Sequence, residues 1–326
     1  FTMSRRGIRA AFFTSQPFQI DYVYARGRRA MLEDECDFLP EIVTPENFDF
    51  CRKKLAGVEV IFSTWGMWAL NDAQLDAMPE LRAVYYAAGA TDHFARPLLK
   101  RGIALHSAWR ANAIPVAEFC LGQILLAMKG FFGNSGGYRS PEHFRENIGP
   151  GCYGDTVGLL GAGAISQKLQ ELLTNFELNV MVMASRPERR TVSMEEVFRR
   201  AFVVSNHLPN RIDNQNVIRE EHFLSMRKGA AFINTGRGAQ VDEEGMTAAL
   251  KKRPDLTALL DVAATEPLRA DSELYRMPNV RLSGHIAGSF NDEVIRMADY
   301  VIGDFRRMRN GETPLHRISE EMLMTH

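Results

Sequence analysis

The chain has 326 residues, and its 39 lysines and arginines nearly balance its 40 aspartates and glutamates, leaving a formal net charge of -1. This balance excludes a global field that would draw the protein to nucleic acid or to an acidic membrane surface. Hydrophobic residues make up 45% of the chain and charged residues 24%, a composition that argues against extensive disorder. The length exceeds that of one ordinary domain and predicts two. We therefore expect a small-molecule partner.

The cysteines and the longest apolar run indicate the compartment. Cys36, Cys51, Cys120 and Cys152 lie far apart, without the CxxC spacing of a zinc site, and a chain of this size needs no disulfide framework. The apolar run from Phe119 to Met128 is too short to cross a membrane and predicts a buried helix. We expect reduced thiols, no metal site and a cytoplasmic location.

In residues 1–110, four short apolar runs with strand character alternate with helical stretches. This alternation predicts a parallel sheet covered by helices on both faces. A long amphipathic helix is predicted to start after Pro115 and to lead into a second lobe. The four predicted strands are Ile8 to Phe13, Val58 to Ser63, Leu81 to Tyr86 and Ile103 to Ser107.

From residue 155 the alternation restarts and gives six further strands, the number in a complete dinucleotide-binding fold. A closing helix, Asn291 to Arg309, has an apolar side that is predicted to return to the first lobe. The six predicted strands are Thr156 to Leu160, Val180 to Ala184, Phe202 to Ser205, Ala230 to Asn234, Thr257 to Asp261 and Val280 to Ser283.

These patterns predict an α/β protein of two doubly wound parallel-sheet domains with a cleft between them. A flavodoxin-like substrate-binding domain is expected in residues 1–117 plus 291–326, and a Rossmann NAD(P)-binding domain in residues 118–290. The segment Gly130 to Gly154 is rich in glycine and aromatic residues and lacks both periodicities. It predicts a long loop, for which we expect a contact in a homodimer.

A glycine turn after the first strand of the second domain predicts the phosphate site of a dinucleotide. Gly161 and Gly163 follow an apolar strand and precede a helix that begins at about Ala164 and Ile165. Backbone N–H groups and the positive end of such a helix suit a pyrophosphate. Ser166 occupies the third glycine position of the motif, which predicts slightly looser packing of helix on strand. A simple strand-to-helix turn is the alternative, but the five further strands favour the cofactor.

The loop after the second strand favours NADP(H) over NAD(H). An NAD enzyme usually places an acidic residue here for the adenosine ribose, whereas this chain has Ala184, Ser185 and Arg186 and no acid before Glu188. Arg186 could pair with a 2'-phosphate, and so could the two arginines at residues 189 and 190. The alternative is that these arginines only form a solvated surface loop.

Four blocks of sequence, in this order, resemble the D-isomer-specific 2-hydroxyacid dehydrogenases, the family that includes glyoxylate/hydroxypyruvate reductases and phosphoglycerate dehydrogenase. The resemblance runs from about Tyr85 to Asp304 and is far more specific than the glycine turn alone. The blocks are GAGAIS, MRKGAAFINTGRGAQVDEEGMTAAL (residues 226–250), ALLDVAATEPL (residues 258–268) and MPNVRLSGHIAG (residues 277–288).

The resemblance implies that Arg237 binds the substrate carboxylate and polarises the 2-oxo group, that His285 is the acid/base, and that Glu266 is its partner. The chemistry agrees, because the guanidinium fork suits a carboxylate and an imidazolium can protonate the oxygen that gathers charge during hydride transfer. A carboxylate stabilises that imidazolium. Each residue follows one of three consecutive strands, which predicts that all three reach one sheet edge. A strand-end histidine and a surface ion pair are the alternatives.

The resemblance also implies secondary cofactor contacts. Asp261 matches the family aspartate that binds the nicotinamide carboxamide, and Thr235 is expected to face the cofactor. His207 and Pro209 lie where the family lines the cofactor with a Leu-Pro loop, and His207 is expected to be a wall residue. One departure concerns Gly284, which stands where the family commonly has proline before the catalytic histidine, and glycine leaves the backbone freer there.

On the substrate side, the family loop whose N–H groups receive the carboxylate is matched by Ala88, Gly89 and Ala90. Trp65, from a neighbouring loop, is a further candidate, although tryptophans in such loops more often pack in a core. The resulting apolar pocket favours a small or apolar 2-oxo acid.

The sequence thus predicts an NAD(P)-dependent 2-hydroxyacid dehydrogenase that reduces a 2-oxo acid to a D-2-hydroxy acid, in the manner of a glyoxylate/hydroxypyruvate reductase. The alternative is a dinucleotide-sensing, corepressor-like binding protein of the same fold without significant turnover. Such a protein could retain the arginine, the glutamate and the histidine, so these residues do not separate the two hypotheses.

Overall fold

The computed structural model describes residues 7–324 and consists of two compact units. Unit 1 comprises residues 1–112 with 289–326, and unit 2 comprises residues 113–288. The predicted domain divisions, after residues 117 and 290, lie in the same helix and the same loop as the observed ones. The parts of those predicted domains in residues 1–6 and 325–326 lie outside the described residues.

Strands and helices alternate along most of the described chain. The strands are β1 (Ile8–Phe13), β2 (Cys36–Phe38), β3 (Val60–Ser63), β4 (Ala83–Tyr86), β5 (Ala104–Ser107), β6 (Tyr153–Leu160), β7 (Glu177–Met183), β8 (Val203–Asn206), β9 (Ala231–Asn234), β10 (Thr257–Leu260) and β11 (Val280–Leu282). The helices are α1 (Phe18–Val23), α2 (Arg28–Glu35), α3 (Phe48–Leu55), α4 (Asp72–Asp76), α5 (Ala95–Lys100), α6 (Trp109–Met128), α7 (Phe131–Gly137), α8 (Ala164–Leu173), α9 (Met194–Arg200), α10 (Glu220–Leu224), α11 (Glu243–Lys252), α12 (Val294–Arg309) and α13 (Glu320–Met324). Short 3-10 turns lie at Pro141–His143, Pro187–Arg189, Ile212–Asn214, Gly238–Gln240, Glu273–Tyr275 and Asn291–Glu293.

Unit 1 contains a parallel sheet in the order β2-β1-β3-β4-β5, the order of flavodoxin-like doubly wound folds. Its four predicted strands are all present, and helix α12 supplies buried residues to the same core, including Phe305 against Phe62 and Tyr85. Strand β2 was not predicted, because it has only three residues and pairs at the sheet edge with β1 alone.

Unit 2 contains the six predicted strands in a parallel sheet of order β11-β10-β9-β8-β6-β7. After β7 the chain crosses over β6 and continues on its other side with β8, so the winding direction reverses between β6 and β8. Open α/β sheets bind ligands at the carboxyl ends of the strands at such a switch point. The carboxyl end of β6 leads into Gly161, and that of β8 leads into His207.

Helix α6 begins earlier than the sequence predicts, at Trp109, and includes Pro115. The prediction of a start after the proline was wrong because apolar positions on both sides of Pro115 share one buried stripe, which includes Ala113, Ala117 and Cys120. Among the described residues, α6 is the one helix with the length and apolar composition of a membrane span, a criterion that core helices also meet.

The predicted loop between Gly130 and Gly154 contains regular structure. Helix α7 occupies part of it, and the 3-10 turn Pro141–His143 follows. The prediction failed because three glycines within α7 conceal its helical character from propensity. The backbone oxygen of Phe132 accepts a hydrogen bond from Arg281, which ties the segment to unit 2.

Candidate active site

The glycine turn lies at the switch point of the unit 2 sheet. Gly161 has a φ of 100°, and a Cβ atom there would lie 2.3 Å from the carbonyl oxygen of His207. Only glycine allows this close approach of the two loops. Gly163 caps α8, and a Cβ atom there would meet no atom within 4 Å. The turn therefore leaves open space in front of the first N–H groups of α8.

The helix after this turn accommodates a serine at the third glycine position. Ser166 is fully buried, and Ala164 and Ile165, at the start of α8, are partly exposed. The slightly looser packing of helix on strand stays a prediction.

The loop that follows β7 is held by one of its own arginines. Arg190 donates to the carbonyl oxygens of Ala184, at 3.0 Å, and Ser185, at 2.9 Å. Arg186 and Arg189 form no ion pair with any described residue. The guanidinium groups of Arg186 and Arg189 are therefore available to a ligand, and that of Arg190 stabilises the loop.

Three neighbouring strands of unit 2 carry the predicted catalytic residues in the loops at their carboxyl ends. Arg237 follows β9, Glu266 follows β10 and His285 follows β11, and these strands are adjacent in the sheet. The first two loops touch, because a Cβ atom at Gly238 would lie 1.9 Å from the backbone of Ala263. The structure thus places the three residues in adjacent loops at one sheet edge.

A short hydrogen bond joins the predicted acid/base to its predicted partner. The distance from Nδ1 of His285 to Oε2 of Glu266 is 2.5 Å. The two side chains remain 52% and 39% exposed. Because Nδ1 is engaged, Nε2 is the ring nitrogen that can exchange a proton with a bound ligand. The guanidinium group of Arg237 is exposed and donates to the backbone oxygen of Gly236 at 2.9 Å.

Asp261 holds the loop that presents His285. Its carboxylate is 4% exposed and accepts hydrogen bonds from the Ser283 hydroxyl at 2.7 Å, from the N–H of Ile286 at 2.9 Å and from the N–H of Ala287 at 3.0 Å. The predicted contact of this carboxylate with the nicotinamide carboxamide stays a prediction, and in the structure the carboxylate accepts these three bonds. Sequence reasoning missed the part played by Ser283.

The backbone around the histidine explains why proline is absent. Gly284 has a φ of 69° and His285 a φ of 62°. A proline ring fixes φ near -65° and could not adopt the conformation of Gly284. The greater freedom expected of glycine is limited in this loop by the hydrogen bonds to Asp261.

His207 turns its side chain inward, and its backbone faces the glycine turn. The imidazole is 8% exposed and its Nε2 lies 2.9 Å from the hydroxyl of Ser205. Burial lowers the pKa of His207 to about 4, so the ring is neutral. Thr235 is also buried, and its hydroxyl lies 3.3 Å from the thiol of Cys120. Pro209 is partly exposed.

In unit 1, buried hydroxyl groups fix the loop predicted to receive the substrate carboxylate. Thr64 donates to the carbonyl oxygen of Ala87 at 2.8 Å, and Ser107 donates to those of Ala88 at 2.9 Å and Gly89 at 2.7 Å. The N–H groups of Gly89 and Ala90 form no hydrogen bond within the described part of the chain. The loop is therefore held through its oxygens, with these two N–H groups unused.

The remaining predicted substrate residue, Trp65, is half-buried against the unit 1 core, and its backbone oxygen accepts a hydrogen bond from Thr14 at 2.7 Å. Within residues 7–324, no group of three or more histidine, cysteine, aspartate or glutamate side chains could hold a metal ion.

The sequence is similar to proteins of known class. Residues 123–287 match the family model described as D-isomer specific 2-hydroxyacid dehydrogenase, NAD binding domain. A glyoxylate reductase of Thermofilum pendens is 29% identical over 264 residues, which are 76% of this chain and 78% of the relative. An (S)-sulfolactate dehydrogenase of Chromohalobacter salexigens is 30% identical over 244 residues, which are 72% of this chain and 79% of the relative.

Among solved structures, a phosphoglycerate oxidoreductase from Rhizobium etli has a similar fold. Its TM-score is 0.79 at 24% sequence identity, and the match covers 96% of this chain and 99% of the other. At this identity the likeness concerns the fold, which it shows to be two parallel-sheet α/β domains, one of them a Rossmann domain.

Proposed function

Because this chain belongs to the D-isomer specific 2-hydroxyacid dehydrogenases, enzymes that use a nicotinamide dinucleotide, we propose that it reduces a small or apolar 2-oxo acid to the D-2-hydroxy acid with NADPH. The observation that supports this most directly is the bond between His285 and Glu266, in the loop next to that of Arg237. It provides a proton donor with a fixed partner beside a cation for the carboxylate.

Each of the three side chains has a distinct task in the proposed reaction. Arg237 binds the carboxylate of the acid and draws electron density toward the 2-oxo oxygen. A nicotinamide bound in unit 2 would supply the hydride for the new C–H bond, and the π electrons of the carbonyl would move onto its oxygen. Nε2 of His285 gives its proton to that oxygen, while Glu266 holds Nδ1 and stabilises the charged ring.

The residues of unit 2 fit a dinucleotide. The close turn at Gly161, the open space in front of Gly163 and the N-terminus of α8 form an anion site at the switch point of the sheet. We assign the pyrophosphate to this turn, and the N–H groups of Ala164 and Ile165 would bind it.

A preference for NADP(H) is supported by the charges of the loop after β7. Ser185 and Arg186 lie where an acid would bind the ribose, and Arg186 has no ion-pair partner in the described chain. Replacement Arg186→Asp should weaken NADPH binding roughly ten- to a hundredfold, the effect of losing a charge-assisted hydrogen bond, with NADH affinity little changed. An equal loss for both cofactors would contradict the assignment.

For the substrate, we propose that the N–H groups of Gly89 and Ala90 receive the carboxylate. The carbonyl oxygens of Ala87, Ala88 and Gly89 are already held by Thr64 and Ser107. A small or apolar acid is favoured because the neighbouring loop, residues 64–71, exposes part of Trp65 and carries no cationic side chain.

The deciding experiment is turnover of NADPH and NADH with a panel of 2-oxo acids that includes glyoxylate, hydroxypyruvate and aromatic pyruvates. We expect oxidation of NADPH with at least one small or apolar acid. Tight dinucleotide binding without oxidation by any acid would instead support the dinucleotide-sensing, corepressor-like protein.

We also propose that the protein is a homodimer that uses the segment around α7. Large apolar side chains there are exposed by 47% to 82%, more than a monomer surface usually leaves in one segment. Sedimentation of the wild type should give a dimer, and Phe144→Glu with Ile148→Glu should give a monomer. A monomeric wild type would reject the proposal. The exposed side chains are those of Phe131, Tyr138, Phe144, Ile148 and Tyr153.

A cytoplasmic location is supported by the thiols. All four cysteines are free. Burial raises the pKa of Cys36 to about 12 and that of Cys120 to about 11, so both stay protonated. Such side chains are those of a protein that keeps its cysteines reduced.

A further inference from the structure

Three buried amide side chains form a hydrogen-bonded network beneath the loops at the carboxyl ends of β8 and β9. Asn206, Asn234 and Gln240 are at most 1% exposed. Asn206 donates through Nδ2 to Oδ1 of Asn234 at 3.0 Å and to Oε1 of Gln240 at 2.6 Å. Asparagine and glutamine rarely lie so deep, and an unpaired amide costs about 1–3 kcal/mol.

On one side the network holds the backbone of Arg237. Its N–H donates to Oε1 of Gln240 at 3.2 Å, and its carbonyl oxygen accepts from Nδ2 of Asn234 at 3.4 Å. The N–H of Gly236 donates to Oδ1 of Asn234 at 3.1 Å. The N–H and the carbonyl oxygen of Arg237 are thus both bound by buried amides. The side chain of this residue is the cation proposed to bind the substrate carboxylate.

On the other side the network holds the loop that touches the glycine turn. The amide atoms on this side are all hydrogen-bonded, either to the loop or within the network. They are Nδ2 and Oδ1 of Asn206 and Nε2 of Gln240. Gln240 donates to the carbonyl oxygens of Leu208 at 2.6 Å and Pro209 at 2.9 Å, and the N–H of Leu208 donates to Asn206 at 3.1 Å. The carbonyl oxygen of the preceding residue, His207, lies so close to Gly161 that no side chain fits there.

The backbone at Gly236 packs directly against this network. A Cβ atom at Gly236 would lie 2.9 Å from Oε1 of Gln240 and 3.0 Å from Nδ2 of Asn206. Because Gln240 is bonded to both sides, a displacement of the 207–209 loop would disturb Gln240 and, through it, the N–H of Arg237. Fully satisfied buried networks of this kind rigidify what they connect.

We propose that Gln240 and Asn206 are positioning residues that couple the dinucleotide loop to Arg237, so that occupation of the cofactor site sets the arginine for the carboxylate. The proposal rests on the proposed function. Coupling of this kind is reciprocal, so the dinucleotide and the carboxylate would strengthen each other's binding by the same factor. In coupled sites this factor is about 5- to 150-fold.

Two variants of Gln240 separate the two sides of the network. Gln240→Met keeps the shape and removes all four hydrogen bonds. Gln240→Glu keeps the oxygen that accepts from Arg237 and replaces the amide that donates to Leu208 and Pro209. The probe is oxamate, a non-reducible carboxylate, whose affinity is measured by calorimetry with and without saturating NADPH.

We expect the wild type to bind oxamate at least about fivefold more tightly when NADPH is present. Both variants should bring this factor close to one. Gln240→Met should also raise the KM for the 2-oxo acid about tenfold, the effect of losing a buried hydrogen bond, with a smaller change in kcat. Protonation of the new glutamate at low pH restores a donor and should restore the factor in Gln240→Glu relative to wild type at the same pH.

Asn279→Leu is the matched control. Asn279 is half-buried, donates to the backbone oxygen of Leu250 at 3.0 Å and precedes β11, at the amino-terminal edge of the same sheet. It should lower thermal stability and leave the KM and the coupling factor unchanged.

The outcomes distinguish the inference from the function on which it rests. Wild-type turnover with unchanged coupling in both folded Gln240 variants would overturn the inference alone. A wild type that neither reduces any 2-oxo acid nor binds oxamate would overturn both. If Gln240→Met does not fold, the low-pH recovery of Gln240→Glu decides the question.

Discussion

The two parallel sheets use the carboxyl ends of their strands in different ways. In unit 2 these ends lead to exposed, ionisable side chains, those of Arg237, Glu266 and His285. In unit 1 the hydroxyl groups at or just after β3 and β5 are fully buried, and those of Thr64 and Ser107 donate to backbone oxygens of one loop. The edge in unit 2 carries ionisable side chains, and the edge in unit 1 carries a loop with backbone N–H groups that are free within the described residues.

Under the proposed function, this difference assigns two tasks to one type of fold. A sheet edge that must move protons needs groups whose charge can change, and these remain near solvent. A sheet edge that only has to recognise a carboxylate can use N–H groups, provided that buried hydroxyls fix the loop. Substitutions of the proton-transfer residues of unit 2 should therefore change kcat, whereas substitutions that release the unit 1 loop should change KM.

The largest expected effect is that of His285→Ala. Loss of the proton donor should lower kcat by about 10²- to 10⁴-fold, the usual contribution of general acid catalysis, and leave dinucleotide affinity nearly intact. Steady-state kinetics and a binding titration measure the two effects. The exposed His143 provides a control, since His143→Ala should leave kcat unchanged. Retained activity in His285→Ala would remove the residue from its proposed task.

The next effect concerns the stability of unit 2 at low pH. Burial holds the pKa of His207 at about 4, below the value of about 6.5 in an unfolded chain. The unfolded state therefore binds the proton first, so this stabilisation is fully present above about pH 6.5 and is lost as the pH falls toward 4. The loss amounts to at most about 3 kcal/mol.

Denaturant unfolding of wild type and His207→Gln between pH 7 and pH 4 tests this expectation. The difference in free energy of unfolding between the two proteins should change by up to that amount over the range. A constant difference would show that burial does not lower the pKa of His207 in the folded state.

A smaller effect is expected from Ser283→Ala. The substitution removes one of the three hydrogen bonds that the Asp261 carboxylate accepts from the loop of the histidine. A loss of roughly 1–1.5 kcal/mol in positioning corresponds to about a tenfold lower kcat. Ser272→Ala is the control, because its hydroxyl caps the 3-10 turn Glu273–Tyr275 and makes no bond with Asp261. Unchanged kcat would mean that the two remaining N–H bonds suffice.

The smallest effect is expected in unit 1. Ser107→Ala removes the bonds to Ala88 and Gly89 and should raise the KM of the 2-oxo acid roughly three- to tenfold, with kcat preserved. Ser63→Ala is matched to it, since its hydroxyl is equally buried but donates to Phe13. A change in kcat instead of KM would break the proposed division between the two sheets.

The sequence predicts the strands well because long apolar runs alternate with helical stretches. Ten of the observed strands correspond to predicted ones, and β2 is too short for any periodicity to reveal. The helix boundaries at α6 and α7 were missed because Pro115 and the glycines of α7 act as breakers only when tertiary packing does not override them.

The site shows a similar limit. Sequence blocks predict Arg237, Glu266 and His285 as candidates, because exposed reactive residues at strand ends form recognisable motifs. The residues that hold these loops are less visible. Asn206 and Gln240 stand out as amides within apolar blocks, which is a usable signal, but their mutual hydrogen bonds depend on a separation of 34 positions in the chain. Ser283 resembles any other strand-end serine.

The loop that presents His285 has one more consequence. Hydrogen bonds to Asp261, rather than the covalent ring of a proline, restrain its backbone at Gly284. Water and denaturants compete for hydrogen bonds and leave a covalent ring unaffected. The loop can therefore lose its order while the rest of unit 2 remains folded. Low concentrations of urea should inactivate the enzyme before they unfold it.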